Sequence, residues 1–217
     1  MYFYKSGLAA GPSNIESYTS LFHLGKETTL GLVGEKRGNV DGPQSRRKSK
    51  RTWYEGDTLN LSIGQGELLV TPIQMAVLIS AVANQGILWK PKIALKIESA
   101  DGRRSYEYPS RELGRIQLKP EVWTLIHKGL LEVVKAGTGR IVDLPGLIVA
   151  GKTGTTQNPL GEDHAWFVAY AGRPGEPPSL AISVLVQHGG HGASAAGPIA
   201  RKVIQTAFAP PEESKAL

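Results

Sequence analysis

The sequence predicts an α+β fold in which helices flank an antiparallel sheet. Helical repeats of apolar residues occur in the first two thirds of the chain and again near its end. Between them lie three short apolar runs, 147–152, 165–171 and 180–186, separated by breaks that contain proline or glycine. Short connections between such runs are typical of an antiparallel meander, and a last helix over 197–208 suits one face of the sheet.

The clearest helix start is Thr71-Pro72-Ile73-Gln74. Thr71 is a good N-cap, Pro72 suits the first helical position, and Gln74 completes a capping box. The following residues are apolar on nearly every side until Gly86. We therefore expect a central buried helix here.

Three further segments show helical periodicity. The first opens at a capping-box pattern, Ser13 with Glu16, and the second runs from Pro120 to Gly137. The third is the helix over 197–208. Their predicted buried stripes are Ile15, Tyr18, Leu21 and Phe22 in the first, Val122, Leu125, Ile126, Leu130 and Val133 in the second, and Ile199, Val203, Ile204 and Ala207 in the third.

Two segments lack helical periodicity. Residues 92–98 alternate polar and apolar side chains, and Asp101-Gly102 follows as a two-residue turn into residues 103–108, so a hairpin is predicted. Residues 31–58 are rich in glycine and are predicted to be a long loop. The basic run 46–51 within it is interpreted as solvated, with a contact to anionic lipid or cell-wall polymer as the alternative. Nucleic acid is not an expected partner, because no interleaved aromatic residues accompany the basic run.

The composition excludes several kinds of site. Hydrophobic residues make up 41% of the 217-residue chain and charged residues 20%, so extensive disorder is not expected. The absence of cysteine excludes disulfides, thiolate zinc sites and cysteine nucleophiles. A formal net charge of +6 permits an anionic partner without requiring one. No apolar run is long enough to span a bilayer, and no signal peptide is visible.

Residues 146–153 fit the phosphate-loop pattern G-x-x-x-x-G-K-[ST]. The context argues against that interpretation. A phosphate loop needs a flexible turn, whereas residues 147–150 form a β-prone apolar run. It also needs a helix after the lysine, and residues 153–159 are poor helix sequence.

As the end of a strand, the same residues make chemical sense. On an edge strand Lys152 and Gly154 point to one face and Thr153 to the other. Lys152 supplies a positive charge for a carboxylate, while Thr153 and Thr155 supply hydroxyls. Gly154 leaves room for another backbone to approach. This combination indicates an acyl-transfer site that binds a peptide.

Lys152-Thr153-Gly154 after a buried strand resembles the third motif of penicillin-binding proteins and serine β-lactamases. The resemblance covers most of the chain and is to class B transpeptidases, with 53–58 similar to the elongation-specific, penicillin-binding protein 2-like branch. The other matching segments are 64–66, 69–76, 137–139, 163–167 and 197–200. On this basis residues 1–209 are expected to be the C-terminal portion of a transpeptidase domain, followed by a disordered tail over 210–217.

The resemblance implies a five-stranded antiparallel sheet flanked by helices and a serine-type D,D-transpeptidase of cell-wall elongation. It assigns catalytic roles to Lys152, for proton shuttling, and to Thr155, whose backbone N–H is an oxyanion donor. It assigns substrate binding to Thr153, Gly154 and Thr155. The implied partners are the peptidoglycan stem peptide, β-lactam antibiotics and the elongation machinery, without metal or cofactor. The implied location is the periplasmic side of the bacterial inner membrane, with an anchor outside this chain.

One part of the family pattern is missing. The only Ser-x-x-Lys is Ser45 to Lys48, in the basic loop rather than at the start of a buried helix, so a chance match is expected there. Since residues 2–4 resemble the helix after the family's second motif, the nucleophilic serine is expected upstream of Met1, in a truncated or split product. The chain alone is then expected to be inactive. The alternative is an inactive remnant that binds only a peptide or a partner.

Three other pairs of residues invite functional interpretations. His188 and His191 flank two glycines and are interpreted as a turn rather than a metal pair. Asp163 and His164 are interpreted as the turn into the strand of Trp166 rather than a base and its partner. Trp53 and Tyr54 either line a groove or are simply buried.

Overall fold

The computed structural model describes residues 1–210, and within them the chain forms two compact units. The first contains residues 1–77 and 87–116, and the second contains residues 78–86 and the chain from Gln117 onward. Helices and antiparallel strand pairs occur together, which confirms the predicted α+β class. The predicted tail lies outside the described residues except for Pro210. No helix in the described part of the chain is long and apolar enough to cross a membrane.

The first unit consists of short helices and two small strand pairs. Its helices are α1 (Tyr2–Ala10), α2 (Pro12–Leu21), α3 (Pro43–Lys48) and α4 (Glu55–Ser62), and α5 (Pro72–Ala83) begins there. Its strands are β1 (Ile87–Trp89), β2 (Lys96–Glu98), β3 (Ser105–Glu107) and β4 (Glu112–Arg115), with β1 antiparallel to β4 and β2 antiparallel to β3.

Helix α2 does not use the predicted capping box. It begins at Pro12, and no side chain caps it. The carboxylate of Glu16 instead accepts the backbone N–H groups of Gln44 and Ser45, at 2.9 and 2.8 Å. Those amides lie in the first turn of α3, where unpaired N–H groups favour a negative charge. A tertiary contact therefore replaces the local one.

The predicted long loop over 31–58 is wrong in part, because α3 and the first half of α4 lie inside it. Arg46 is the residue that organises this segment. Its guanidinium is buried and binds Asp41 and Asp57, each at 2.7 Å, and stacks over Trp53 at 4.8 Å. Hydrogen bonding to Asp41 raises the pKa of Arg46. The prediction of a solvated run is therefore wrong for Arg46, although residues 47–51 are exposed.

Helix α5 confirms the predicted capping box. The Thr71 N–H donates to Gln74 Oε1 at 2.8 Å, and the Gln74 N–H donates to Thr71 Oγ1 at 3.3 Å. Gln74 is 2% exposed, and its amide also donates to the carbonyls of Lys26 and Arg37, both at 2.8 Å. The capping residue thus ties the helix start to two loops of the first unit.

The β2–β3 hairpin is predicted correctly but is shorter than expected. Residues 92–95 are not in a strand, and residues 99–104 connect β2 to β3, so Asp101-Gly102 is not a two-residue turn. Gly102 does adopt the left-handed conformation, with φ at 68°. The β1–β4 pair has no counterpart among the predicted strands, because β1 is only three residues long.

The second unit contains a three-stranded antiparallel sheet in the order β5 (Ile148–Thr156), β6 (His164–Gly172) and β7 (Leu180–Val186). Helices α6 (Pro120–Lys135) and α7 (Ala196–Phe208) and a 3-10 turn (Arg140–Val142) complete it. The three predicted apolar runs all became strands. The odd-numbered side chains of β6 enter the main core, with Phe167 fully buried, and the even-numbered Tyr170 lies on the other face.

Both helices of the second unit are predicted, but their buried faces are predicted only in part, since Ile204 is fully buried and Ile126, Leu130 and Val133 are half-buried. In α6, Trp123 and Val134 are buried, whereas Leu125 is 70% exposed and Val122 is also exposed. In α7 the buried residues are Ala196, Gly197, Ala200 and Ile204, while the predicted Ile199, Val203 and Ala207 are exposed. Small side chains let α7 lie close to the sheet, where β6 also presents alanines.

Candidate active site

The Lys-Thr-Gly motif lies within strand β5, at the edge of the three-stranded sheet. Lys152, Thr153, Gly154 and Thr155 pair with Val168, Phe167, Trp166 and Ala165 of β6. Because the other side of β5 faces no strand of the described chain, its backbone offers an edge to which an extended peptide can add. The phosphate-loop interpretation fails here, since residues 148–156 form one continuous strand.

Lys152 places its ammonium beside the next residue of the strand. Its Nζ donates to the Thr153 carbonyl at 2.7 Å and lies 3.5 Å from Thr153 Oγ1. Partial desolvation of the ammonium lowers the pKa of Lys152. The site therefore holds a cation whose proton is easier to remove than that of a fully hydrated lysine.

Thr138 is a further residue of the candidate site, and the sequence alone gave it no role. Its Oγ1 lies 2.7 Å from Thr153 Oγ1. Thr138 sits in the turn after α6, where the Gly139 N–H donates to the Val133 carbonyl at 2.9 Å. The match of residues 137–139 to the family pattern was the signal that could have drawn attention to it.

The backbone of Gly154 lies against a second glycine, Gly192, whereas a methyl group added to Gly154 itself would lie 3.1 Å from the Trp166 side chain. A methyl group added to Gly192 would be 2.5 Å from the Gly154 carbonyl oxygen and closer still to that of Trp166. The loop after β7 therefore packs directly on the backbone of the motif, and only glycine permits this approach.

A polar cluster joins the loops beyond the end of β5. The His188 N–H donates to His164 Nδ1 at 3.0 Å, and the Asn158 side-chain nitrogen lies 3.1 Å from His188 Nδ1. Asp163 accepts the Asn158 N–H at 3.2 Å through its carboxylate. His164 is the first residue of strand β6 rather than part of the turn before it, whereas Asp163 precedes the strand.

The described residues contain no cluster of three or more histidine, cysteine, aspartate or glutamate side chains that could hold a metal ion. His188 makes ring contacts with His164, at a centroid distance of 4.9 Å. His191 is exposed in the same loop. Trp53 and Tyr54 lie in the first unit, where Trp53 donates to Thr58 Oγ1 at 2.8 Å and Tyr54 is exposed.

Ser45, the serine of the single Ser-x-x-Lys pattern, has a structural role. Its hydroxyl donates to the Gly42 carbonyl at 2.9 Å and accepts the Gly42 N–H at 2.8 Å. It therefore closes the first turn of α3, a helix of six residues. The Ser45 hydroxyl is engaged in helix capping and is poorly placed to act as a nucleophile.

Comparisons with known proteins agree on one family. The penicillin binding protein transpeptidase domain model matches residues 1–205. The peptidoglycan D,D-transpeptidase MrdA of Haemophilus influenzae is 33% identical over an alignment of 222 positions, which covers 94% of this chain and 34% of that protein. The chain thus spans about a third of the length of this curated relative.

Two solved structures share the fold over nearly the whole chain. Pseudomonas aeruginosa PBP2 in complex with WCK 5153 has a TM-score of 0.80 and 31% identity, covering 97% of this chain and 45% of that one. Helicobacter pylori PBP2 in its complex with MreC has a TM-score of 0.75 and 26% identity, covering 96% and 38%. Given the family match over residues 1–205 and this agreement in fold, the chain belongs to the penicillin-binding protein transpeptidase domain family.

Proposed function

We propose that this chain carries the substrate-binding strand of a peptidoglycan D,D-transpeptidase of cell-wall elongation. The observation that carries the proposal is the open edge of β5, which presents Lys152, Thr153 and Thr155 next to one another. The family match and the name of the Haemophilus influenzae relative support the same activity.

The proposed substrate is an extended stem peptide that pairs with the edge of β5. Backbone hydrogen bonds to the strand supply affinity, and the Thr153 and Thr155 hydroxyls bind the terminal carboxylate. The ammonium of Lys152 complements the carboxylate charge and assists proton transfer. The Thr155 N–H is proposed as one oxyanion donor, a kind of interaction typically worth about 3 kcal/mol in the transition state.

The acyl transfer itself requires a serine that is not in the Lys-Thr-Gly strand. In the proposed step, a serine oxygen bonds to the peptide carbonyl carbon, the amide bond breaks, and the amine leaves with a proton. Because the Ser45 hydroxyl closes a helix turn, we assign this role to a serine outside residues 1–217.

The proposed partners follow from the same assignment. The family description supports β-lactam antibiotics, which compete for the peptide edge. The Helicobacter pylori PBP2 complex with MreC supports an association with the elongation machinery. We propose that the parent protein works on the periplasmic side of the bacterial inner membrane, held by an anchor outside this chain.

Peptide binding tests the proposal. Titration of the chain with N-acetyl-D-alanyl-D-alanine, followed by amide NMR, is expected to shift the signals of residues 152–156. Thr153→Val is expected to weaken binding about fivefold or more, because one hydroxyl to the carboxylate is lost. Thr206→Val, which removes an exposed hydroxyl of α7, is the matched control and is expected to change nothing. Shifts confined to other surfaces contradict the proposal.

A second candidate, a chain that binds peptide without catalysis, is favoured by the engagement of Ser45. Incubation with a fluorescent penicillin is expected to leave the isolated chain without a covalent adduct. A covalent label that persists on a denaturing gel and disappears in Ser45→Ala would contradict the structural role of Ser45.

A further inference from the structure

Two loops meet beyond the end of strand β5 and are held together by polar contacts. The β5–β6 loop comprises residues 157–163, and the β7–α7 loop comprises residues 187–195. The Gly190 N–H donates to the Asp163 carbonyl at 2.9 Å. Asn158, His164 and His188, which we call the histidine latch, supply the remaining contacts.

The hydrogen-bond partners of Asn158 fix the direction of each contact. Asn158 Oδ1 accepts the Leu160 N–H at 3.1 Å, so its amide nitrogen is the group that faces Glu162 and His188. That nitrogen is a donor only, and His188 Nδ1 must therefore accept. His164 Nδ1 must accept as well, because its partner is the His188 backbone N–H.

Both imidazoles consequently have to be neutral for the latch to close. Protonation of His188 would place an N–H on Nδ1, facing the side-chain N–H of Asn158. Protonation of His164 would place an N–H on its Nδ1, facing the backbone N–H of His188, and two donors cannot form a hydrogen bond. The ring centroids are 4.9 Å apart, so two imidazolium charges would also repel each other.

The backbone at His188 supports a specific role for this side chain. Its φ is 53°, in the left-handed region that side chains with a Cβ rarely adopt. A glycine would occupy this position without strain, and two glycines follow it directly. From this conformation the imidazole contacts Asn158 and the His164 ring.

The latch is connected to the Lys-Thr-Gly strand through both loops. His164 pairs with Thr156 across the β5–β6 ladder, one position beyond Thr155. Gly192, in the β7–α7 loop, packs on the backbone of Gly154. Opening of the latch would release the end of β5 and the glycine contact that supports it.

We propose that Asn158, His164 and His188 are positioning residues that hold the peptide-binding edge of β5 in order, and that the latch opens when its histidines are protonated. The inference rests on the proposed peptide-binding function of β5. It predicts peptide binding that weakens on acidification, in a range where the peptide carboxylate keeps its charge.

The other titratable groups near the latch are few. Glu162 and Asp163 belong to the β5–β6 loop and His191 to the β7–α7 loop, and Lys152 is the charged residue of β5. The Asp163 carboxylate is already hydrogen-bonded to the Asn158 N–H. His191 is the one other histidine in these elements and must be tested separately.

The test is an NMR titration of the full chain from about pH 8 to about pH 5, the range in which histidine ordinarily changes charge. At the alkaline end, the Nδ1 atoms of His164 and His188 are expected to be unprotonated. On acidification, the amide signals of His188 and Gly190 are expected to move together. Binding of N-acetyl-D-alanyl-D-alanine is expected to weaken about fivefold to tenfold, as the loss of one or two hydrogen bonds implies.

Three variants separate the latch from general effects. His188→Asn keeps a residue that tolerates the left-handed backbone but does not titrate, so the pH dependence of binding should disappear. Asn158→Ala removes one latch contact while leaving the backbone at His188 unchanged, and should reduce the dependence. His191→Asn changes an exposed histidine of the same loop and should retain the full dependence.

The outcomes are distinct. A proton on His164 Nδ1 at the alkaline end, peptide binding that does not vary with pH, or a dependence that follows His191 overturns the latch. If the latch titrates as expected but the peptide binds at no pH, the proposed function fails, and the positioning role fails with it.

Discussion

The Thr153 hydroxyl is the centre of a short polar chain. Thr138 Oγ1 lies 2.7 Å away on one side and Lys152 Nζ 3.5 Å away on the other. When the Thr138 hydroxyl donates to Thr153 Oγ1, the Thr153 hydroxyl can donate its own proton to a ligand. Hydroxyl groups linked in such a chain polarise one another, which strengthens each hydrogen bond. A carboxylate at the edge of β5 thus meets oriented donors rather than freely rotating ones.

The charge of Lys152 is expected to make binding of the proposed peptide sensitive to alkaline pH. Since desolvation lowers its pKa, the ammonium loses its proton at a lower pH than an exposed lysine does. Attraction to the peptide carboxylate is present below that pKa and is lost as the pH rises through it. Binding of N-acetyl-D-alanyl-D-alanine, measured by NMR, is expected to weaken in this range.

Two substitutions check the assignment to Lys152. Lys152→Met is expected to weaken binding at neutral pH and to remove the alkaline dependence. Lys202→Met, in an exposed position of α7, is expected to leave both unchanged. If peptide binding by Lys152→Met still weakens as the pH rises, the group that titrates is not Lys152.

Arg46 provides a residue-scale prediction for stability. Arg46→Met is expected to destabilise the chain by about 3 kcal/mol, because the buried Asp41 carboxylate loses its partner. Arg47→Met, one position along and exposed, is expected to change stability by less than about 0.5 kcal/mol. Urea unfolding measures both, and equal effects would show that the guanidinium cluster contributes little.

At the scale of elements, helix periodicity identified α6 and α7 but not which way they face. Both helices carry apolar residues over more than one side, and the sheet selects among them. In α6 His127 faces the sheet, where its Nδ1 lies 2.5 Å from the Tyr170 hydroxyl, and Trp123 is buried. Burial lowers the pKa of His127 and raises that of Tyr170 to about 12, so burial favours the neutral form of both side chains.

The orientation of α6 can be checked with two truncations. Trp123→Ala is expected to lower the free energy of unfolding by about 3 kcal/mol, because Trp123 is 4% exposed and its removal leaves a cavity. Leu125→Ala, two positions away and 70% exposed, is expected to cost less than about 0.5 kcal/mol. If chemical denaturation shows Leu125→Ala to be the more destabilising of the two, then Leu125 is on the buried face, as the periodicity predicts.

At the scale of the whole molecule, stability is unevenly distributed. Strand β6 has neighbours on both sides and is buried over nearly its whole length. Every residue of β2 and β3 is exposed, and these two strands pair only with each other. Local opening is easiest where few apolar contacts must be broken.

Hydrogen exchange is expected to reflect this difference. Amides of β6 should exchange slowest, at rates set by the unfolding of the second unit, and those of β2 and β3 should exchange fastest among the strands. Mass spectrometry or NMR of the intact chain measures the order. Protection of β2–β3 equal to that of β6 would contradict it.

The sequence by itself determined the elements whose cause is local. The capping box at Thr71 and Gln74, the strands of the second unit and the Lys-Thr-Gly motif follow from side-chain chemistry within a few residues. These features need no knowledge of distant residues. The position of the motif at the sheet edge does not follow from the strand-like run before it, because such a run does not determine which strands pair.

Only the tertiary structure decided the features that depend on distant partners. Glu16 caps α3 instead of its own helix. Arg46 belongs to a run of basic residues that are otherwise solvated, but it is buried and forms ion pairs with Asp41 and Asp57. Thr138 joins the site although fifteen positions separate it from Thr153. The physical reason is the same in each case: a buried or oriented polar group must find its partner, and the fold determines which partner comes within reach.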